Sequence, residues 1–240
     1  MTLSLRGLAN LWKERGHARL LRKMQRDWDE RARQNAKYFI ATGRTDWSDE
    51  EFYASGDQTI AQDILTDLHN VCQGKTPNAM RVLEIGCGAG RLTRALARQF
   101  GEVHAVDVSG EMIARARQAL AGYANTHVYQ NNGCDLAVLP QLEFDFAYSN
   151  IVFQHIPSHA VIETYVREVH RLLRPGALFK FQVQGAAGRR RRDDTWHGAS
   201  FSEAQARSMA QRCGFDFRYS TGAGTQYFWL WFFKNSTGNL

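Results

Sequence analysis

Along the last two thirds of the chain, short apolar runs alternate with segments in which apolar residues recur at helical spacing. Short apolar runs at residues 82–85 and 103–106 have the length of buried strands. Between them, Leu92, Ala95 and Leu96 recur at the spacing of one helix face. This alternation predicts a parallel sheet covered by helices on both faces. With 240 residues, of which 44% are hydrophobic, the chain can bury one sizeable core.

The same pattern continues to the C-terminus. It predicts two further strands, a helix and a fifth strand at residues 126–130, 144–149, 160–173 and 177–183. Pro175 stops this helix, and Gly176 permits the turn into the fifth strand. The apolar stretch 227–233 is too short to cross a bilayer. With residues 215–219 and the glycine-rich turn 222–224, it predicts a hairpin that completes the sheet.

The N-terminal third combines aromatic and charged residues. Its aromatic residues include Trp28, Tyr38, Phe39, Trp47, Phe52 and Tyr53. A linker would not need so many aromatic side chains, so we predict a helical extension at residues 1–70 and one α/β domain at residues 71–240. Ser55, ahead of a predicted helix at 58–71, is typical of an N-cap.

The junction after the first apolar run reads Glu-Ile-Gly-Cys-Gly-Ala-Gly at residues 84–90. Glycines let the backbone approach a ligand that a Cβ would push away, and the next helix begins with free N–H groups facing that ligand. Arg91 stands where the dinucleotide fingerprint needs a third glycine, and the phosphate-loop pattern is not met either. Asp107 ends the second strand about twenty residues after Gly86, where an acid reaches the ribose hydroxyls of a bound nucleoside.

This glycine motif, followed by Val-Asp-Val-Ser at residues 106–109, resembles the class I methyltransferases that use S-adenosylmethionine (SAM), in particular small-molecule enzymes of the methyltransferase 11, 12 and 25-like type. The resemblance implies an α/β Rossmann-like fold: a seven-stranded, mostly parallel sheet with helices on both faces, an antiparallel C-terminal hairpin and an N-terminal helical lid. It also implies SAM as cofactor and S-adenosylhomocysteine (SAH) as product. The implied reaction is in-line transfer of a methyl group to a hydroxyl (or amine) of a small-molecule acceptor.

The resemblance also implies a set of cofactor-binding residues. These are Glu84, Gly86, Cys87, Gly88, Asp107, Val108, Met112, Asn132, Gly133, Asn150 and Tyr38. Within the set, Glu84 would help to hold the ammonium group of SAM, and Asp107 would accept from both ribose hydroxyls. Met112 would lie against the adenine ring, or else pack in the core as an ordinary methionine. Tyr38 is the preferred contact from the lid.

Two segments differ from motifs of known methyltransferases, and one of them narrows the class of methyl acceptor. Asn132 occupies the position where the family usually has an Asp that accepts from the adenine amino group, with Asp135 three residues further on. An amide would therefore replace the carboxylate. Residues 149–152 read Ser-Asn-Ile-Val and lack the two prolines that enzymes methylating planar nitrogens commonly carry here. This argues against an adenine-N6 type of acceptor.

A hydroxyl acceptor needs a base, and an imidazole suits neutral pH. His155 follows the fourth strand, where the acceptor should enter, so it is the candidate catalytic base; the alternative is a histidine that caps or packs at a helix start. His197 is the second candidate. A basic cluster of Arg189, Arg190, Arg191 and Arg192 lies in a loop beyond the fifth strand. It would either hold an acidic group of the acceptor or form a solvated loop.

The formal charge of +6 resides in the first 26 residues, which carry seven basic residues and one acid. A nucleic-acid partner is therefore not favoured, because the rest of the chain is balanced. Leucines near helical spacing in residues 1–26 would let this segment lie on an anionic membrane or on a partner, or pack on its own domain.

The cysteines at positions 72, 87, 134 and 213 have neither close pairing nor metal-ligand spacing, and the start lacks a signal-peptide core. Both observations favour a cytoplasmic protein, and methyl transfer from a sulfonium requires no metal. Two alternatives to the small-molecule enzyme are a methyltransferase that docks a macromolecule through its basic N-terminus and a non-catalytic domain that binds SAM or a partner. A dehydrogenase is more distant because the glycine spacing fails.

Overall fold

The computed structural model describes residues 5–186, 188 and 194–235, with side chains from residue 16 onward. In these residues the helices are α1 (Leu5–Ile40), α2 (Asp49–Asp63), α3 (Leu68–Cys72), α4 (Arg91–Ala97), α5 (Gly110–Ala119), α6 (His159–Leu172) and α7 (Glu203–Arg212). The strands are β1 (Arg81–Ile85), β2 (Glu102–Asp107), β3 (Thr126–Gln130), β4 (Phe144–Ser149), β5 (Leu173–Val183), β6 (Phe215–Thr221) and β7 (Phe228–Lys234).

The strands form one seven-stranded sheet in the order β3-β2-β1-β4-β5-β7-β6. β1 to β5 are parallel, whereas β7 is antiparallel to both β5 and β6. The predicted fold class is confirmed, including the C-terminal hairpin. The order reverses between β1 and β4, and in parallel sheets such a reversal opens a crevice at the carboxyl ends of the strands.

Both faces of the sheet are buried, which explains why the central strands read as continuous apolar runs. On one face, Leu83 and Ile85 belong to the main core, which α6 and α7 complete. On the other, Val82 joins a second core with Leu92 and Leu96 of α4. The alternation of side chains along β1 thus anchors one helical layer on each side.

Two predicted boundaries were wrong. Helix α2 begins at Asp49, because Ser48 and Glu51 form a capping box in which each side chain bonds to the other residue's backbone N–H. Ser55 instead lies inside this helix and donates to the carbonyl of Phe52. Helix α6 ends at Leu172 and β5 starts at the next residue. Pro175 and Gly176 therefore lie in an irregularity of β5, where the pairing with β4 shifts register.

Helix α1 packs along the domain that it precedes. Met24 is buried in the main core, and Leu20 and Leu21 pack against the same core. The interpretation of an N-terminal helix packed on its own domain is confirmed for these side chains. None of the helices in the described residues is both long and apolar enough to cross a membrane. The division at residue 70 stays a prediction.

Candidate active site

The glycine loop after β1 is tied to the end of β2. The backbone N–H groups of Gly86 and Cys87 both donate to the carbonyl of Val106, at 2.7 and 3.0 Å. Gly86 and Gly88 have φ values of +78° and +53°, a region that residues with a Cβ rarely adopt. A Cβ at Gly86 would lie 2.2 Å from a methyl group of Val152. The loop therefore requires glycine both for its conformation and for the space beside it.

Asp107 holds this loop from the tip of β2. One carboxylate oxygen accepts from the Gly88 N–H and the other from the Ser109 N–H, both at 2.9 Å. Burial raises the pKa of Asp107 to about 6, although the two backbone hydrogen bonds oppose the shift. Asp107 is thus fixed at the tip of β2 by the backbone of Gly88 and Ser109, and its ribose role stays a prediction.

Glu84 is buried at the end of β1, where only 2% of its surface is exposed. Its carboxylate accepts from the hydroxyl of Thr93 at 2.6 Å. Desolvation raises the pKa of Glu84 to about 7, while the Thr93 hydrogen bond and the charge of Arg91 oppose the shift. A cationic ligand group beside Glu84 would restore its charged form.

A cleft of about 850 Å³, counting its solvent-open part, lies at the carboxyl ends of β1, β2 and β4. The predicted cofactor and catalytic residues on its wall are Glu84, Gly86, Cys87, Gly88, Asp107, Val108, Met112, Asn150 and His155. Trp28, Phe39 and Ile40 of α1 cover it. The structure therefore brings most of the predicted side chains to one place and adds an N-terminal lid.

Three predicted residues lie off this wall. Asn132 is exposed and caps its own turn, because its side-chain oxygen accepts from the N–H groups of Cys134 and Asp135. Gly133 packs against Val108, and Asn131 lines the cleft instead. Tyr38 is half-buried beside Phe39 but does not reach the cleft, because the backbone kinks before it. Asn132, Gly133 and Tyr38 therefore do not line the cleft, and their predicted roles in cofactor binding stay predictions.

The geometry of His155 does not support a general base. Gln182 donates to Oε1 of Gln154, so Gln154 presents its NH₂ group to Nε2 of His155, 3.2 Å away. Nδ1 of His155 lies 2.6 Å from the carbonyl oxygen of Trp196 and donates to it. Both ring nitrogens are therefore engaged, and burial lowers the pKa of His155 to about 4. The ring packs between Trp28 and Trp196 at the rim of the lid.

The structure places the second candidate base but does not describe the basic cluster. His197 is exposed and bonds to Asp194, and it does not line the cleft. Arg189, Arg190, Arg191 and Arg192 lie outside the described residues, so their predicted role stays a prediction.

Arg91 is the wall residue that sequence reasoning missed. Only 7% of it is exposed, and its Nη1 donates to the hydroxyls of Ser55 and Thr59 on α2. Its Nε has no hydrogen-bond partner in the described structure. Burial lowers the pKa of Arg91, while the nearby Tyr148, Glu84 and Asp63 oppose the shift. The signal in the sequence was its position directly after the third glycine.

Ile151 is a second missed wall residue. It follows β4 with φ of +55°, which costs a β-branched residue about 1–3 kcal/mol of strain. The neighbouring Asn150 donates to Asp63 and to the Tyr148 hydroxyl, so its side chain braces this bend. Nothing in the local pattern of residues predicts a strained isoleucine.

The comparisons with known proteins agree with this fold. The methyltransferase domain family matches residues 82–176. The DhpI–SAH complex shares the fold with a TM-score of 0.59 at 19% identity, covering 91% of this chain and 98% of that one. Phosphoethanolamine N-methyltransferase 1 of Haemonchus contortus gives a TM-score of 0.65 at 18% identity, covering 92% of this chain and 50% of that one. Residues 82–176 thus match a methyltransferase domain, and the fold is that of the class I SAM-dependent methyltransferases, whose cofactor is SAM.

Two curated relatives are similar over the central domain. Malonyl-acyl-carrier-protein O-methyltransferase of Enterobacter lignolyticus is 32% identical over 130 residues, which are 49% of this chain and 48% of the relative. Trans-aconitate 2-methyltransferase of Azoarcus is 30% identical over 141 residues, which are 57% of this chain and 50% of the relative. The chain thus spans about half the length of these relatives.

Proposed function

We propose that the protein binds SAM in the described cleft and catalyses methyl transfer to an oxygen atom of a small-molecule acceptor. The observation that carries this proposal is the composition of the wall: Glu84 and Arg91 are buried, and Asp107 is half-buried, around one glycine loop. A zwitterion joined to a nucleoside needs this combination of an anion, a cation and an acceptor for the ribose diol.

The residues fit SAM in a specific way. Glu84 would hold the ammonium group, Arg91 the carboxylate and Asp107 the ribose hydroxyls. At Gly86 and Gly88 a side chain would clash with Val152 and Ile40, so only glycine lets the loop lie this close to the cleft wall. The apolar side chain of Met112 would lie against the adenine ring.

When bound, SAM supplies a methyl group that is already activated by the sulfonium charge. The chain's own residues then have to align the acceptor and exclude water. Trp28, Phe39 and Ile40 cover the cleft from α1 and provide the apolar roof. Arg31 holds this part of α1 down, because it donates to both oxygens of Thr195.

The wall favours an acceptor oxygen that is ionised before it binds. A hydroxyl must lose its proton to a base, whereas a carboxylate has lost its proton at neutral pH. Glu84 and Asp107 would be engaged by SAM, and both nitrogens of His155 are engaged by the protein. The relatives' names specify malonyl and trans-aconitate groups, which are carboxylic acids. We therefore place a carboxylate ahead of the hydroxyl (or amine) acceptor.

The test is an acceptor screen with SAH formation as the readout. The panel contains di- and tricarboxylates, an acyl thioester with a free carboxylate, phenols, amines, RNA and protein. We expect a methylated acid whose product releases methanol in mild alkali, as a methyl ester does and a methyl ether does not. An alkali-stable product would favour the hydroxyl or amine acceptor, and turnover on RNA or protein would favour the macromolecular alternative.

His155→Asn distinguishes the two oxygen acceptors further. We expect a loss in kcat/KM of less than about tenfold, whereas removal of a general base costs about 10²–10⁴-fold. His69→Asn, at an exposed histidine, is the matched control. A loss of about 100-fold or more in His155→Asn alone would restore His155 as the base.

A further inference from the structure

Glu102, His104 and His127 form a cluster of metal-ligating side chains remote from the cleft. Glu102 and His104 lie on the same face of β2, and His127 is the direct partner of His104 on β3. Nε2 of His104 and Nε2 of His127 lie 2.9 and 3.2 Å from the same carboxylate oxygen of Glu102. All three ligand atoms lie within 4.8 Å of one another.

These separations match a tetrahedral zinc site. Zinc binds imidazole nitrogen and carboxylate oxygen at about 2.0–2.2 Å, so neighbouring ligand atoms of a tetrahedron stand about 3.3–3.5 Å apart. The two nitrogen–oxygen distances are slightly shorter than this edge. Small rotations of two side chains would therefore open the cluster to the required size. The burial is graded, from His104 with 2% of its side chain exposed to His127 with 43%, which leaves a path for the ion.

The groups around the cluster orient its members. Nδ1 of His104 lies 3.1 Å from the Tyr129 hydroxyl, which can accept a hydrogen bond from Nδ1–H when Nε2 binds a metal. Metal-ligating histidines almost always have such a partner for the second ring nitrogen. Arg81 donates to the other oxygen of Glu102 at 2.6 Å and leaves the first oxygen directed at the two imidazoles.

We propose that Glu102, His104 and His127 bind a zinc ion that ties β2 to β3. Three protein ligands leave a fourth position for water. Glu102 begins β2, whereas Asp107 ends the same strand at the cleft. The site is therefore separate from the SAM cleft, and its effect is on stability rather than on methyl transfer. Neither its residues nor its role depend on the proposed function.

The experiment titrates untagged, chelator-treated protein with Zn²⁺ by calorimetry and with Co²⁺ by visible absorption, alongside thermal unfolding. We expect one ion per chain, the absorption of tetrahedral Co²⁺, and a higher melting temperature with Zn²⁺. His127→Ala should weaken binding by about 100-fold or more, beyond the roughly 10–100-fold lost when an outer partner is removed. Tyr129→Phe should weaken binding within that smaller range.

Two further variants make the result decisive. Glu102→Gln keeps the shape of the side chain and loses its charge, so it should also weaken binding while leaving the fold intact. His69→Ala, at an exposed histidine outside the cluster, should bind as the wild type does. Absence of zinc binding in the wild type would overturn the proposal. So would unchanged affinity in both His127→Ala and Glu102→Gln.

Discussion

Arg91 and Glu84 line the same cleft, yet each is held by hydroxyl groups rather than by the other. Thr93 donates to Glu84, and Ser55 and Thr59 accept from Arg91. An isolated buried charge is costly unless a ligand or a partner compensates it. This arrangement is what a site for a zwitterionic ligand requires, because a tight internal ion pair would compete with the ligand.

Arg91→Met tests the carboxylate role. SAH and methylthioadenosine differ in the amino-acid end, so calorimetry with both ligands isolates its contribution. In the wild type we expect SAH to bind more tightly. In Arg91→Met we expect the affinity for SAH to fall about 10–100-fold, because a hydrogen bond to a charged group contributes about 1.5–3 kcal/mol. The affinity for methylthioadenosine should change little. An equal loss of affinity for both ligands would show that Arg91 only supports the fold.

Glu84 predicts a pH dependence of binding. Its pKa of about 7 means that it becomes charged as the pH rises through neutrality, and in the proposed site the charged form would hold the ammonium group. Below pH 7 the affinity for SAH should therefore fall by about tenfold per pH unit. Calorimetry between pH 5.5 and 8 checks this prediction, and Glu84→Gln should bind weakly with a flatter profile. An affinity that rises with falling pH would contradict the role.

The raised pKa of Glu84 also makes the stability of the ligand-free protein depend on pH. This dependence is opposite in direction to that of ligand binding. The folded pKa of Glu84 lies above its ordinary value of 4.5, so the folded state keeps a proton that the unfolded state releases. The contribution of Glu84 to stability is therefore full below pH 4.5 and is lost as the pH rises to about 7. Glu84→Gln should lack this loss in urea unfolding, compared with the wild type at each pH.

Among the elements, the lid helix α1 depends on a break at Asn35. Asn35 has φ −167° and ψ 86°, and its side chain accepts from the Tyr38 N–H and donates to the Thr45 carbonyl. It therefore acts as the N-cap of the short last segment of α1. Phe39 and Ile40, which follow the break, line the cleft, whereas Tyr38 does not.

Asn35→Ala should remove this cap and cost about 0.5–2 kcal/mol of stability. Because Phe39 and Ile40 lose their placement, SAH affinity should fall while the far-ultraviolet spectrum stays the same. Gln34→Ala, on the exposed adjacent position, is the control and should leave both properties unchanged. Wild-type affinity in Asn35→Ala would show that the kink does not position the lid.

The helices and strands also show which features of the fold could be predicted from the sequence. The third and fourth strands match their predicted bounds, because their buried patterns and flanking turns are local signals. The start of α2 was predictable from Ser48 and Glu51, because a Ser followed three residues later by Glu is the capping-box pattern. The wall position of Asn131 was not predictable, because a local hydrogen-bonded turn decides whether it or Asn132 faces the cleft.

For the whole molecule, sheet topology accounts for the predictable part of the site. Glu84 and Asp107 come together because neighbouring parallel strands end at the same edge of the sheet. The lid and the zinc cluster depend instead on contacts between elements distant in sequence. His104 and His127 have no metal-ligand spacing in the sequence and meet only when β2 pairs with β3.

The most direct test of the account is calorimetric titration of the full chain with SAM and with SAH, with NAD as the control. We predict one site per chain with micromolar affinity for SAM and SAH, no binding of NAD, and severe weakening of both ligands in Asp107→Ala. Asp216→Ala, at an exposed acid on β6, should bind as the wild type does. Absence of SAM and SAH binding, or binding of NAD in their place, would contradict the central claim that this cleft is a SAM site.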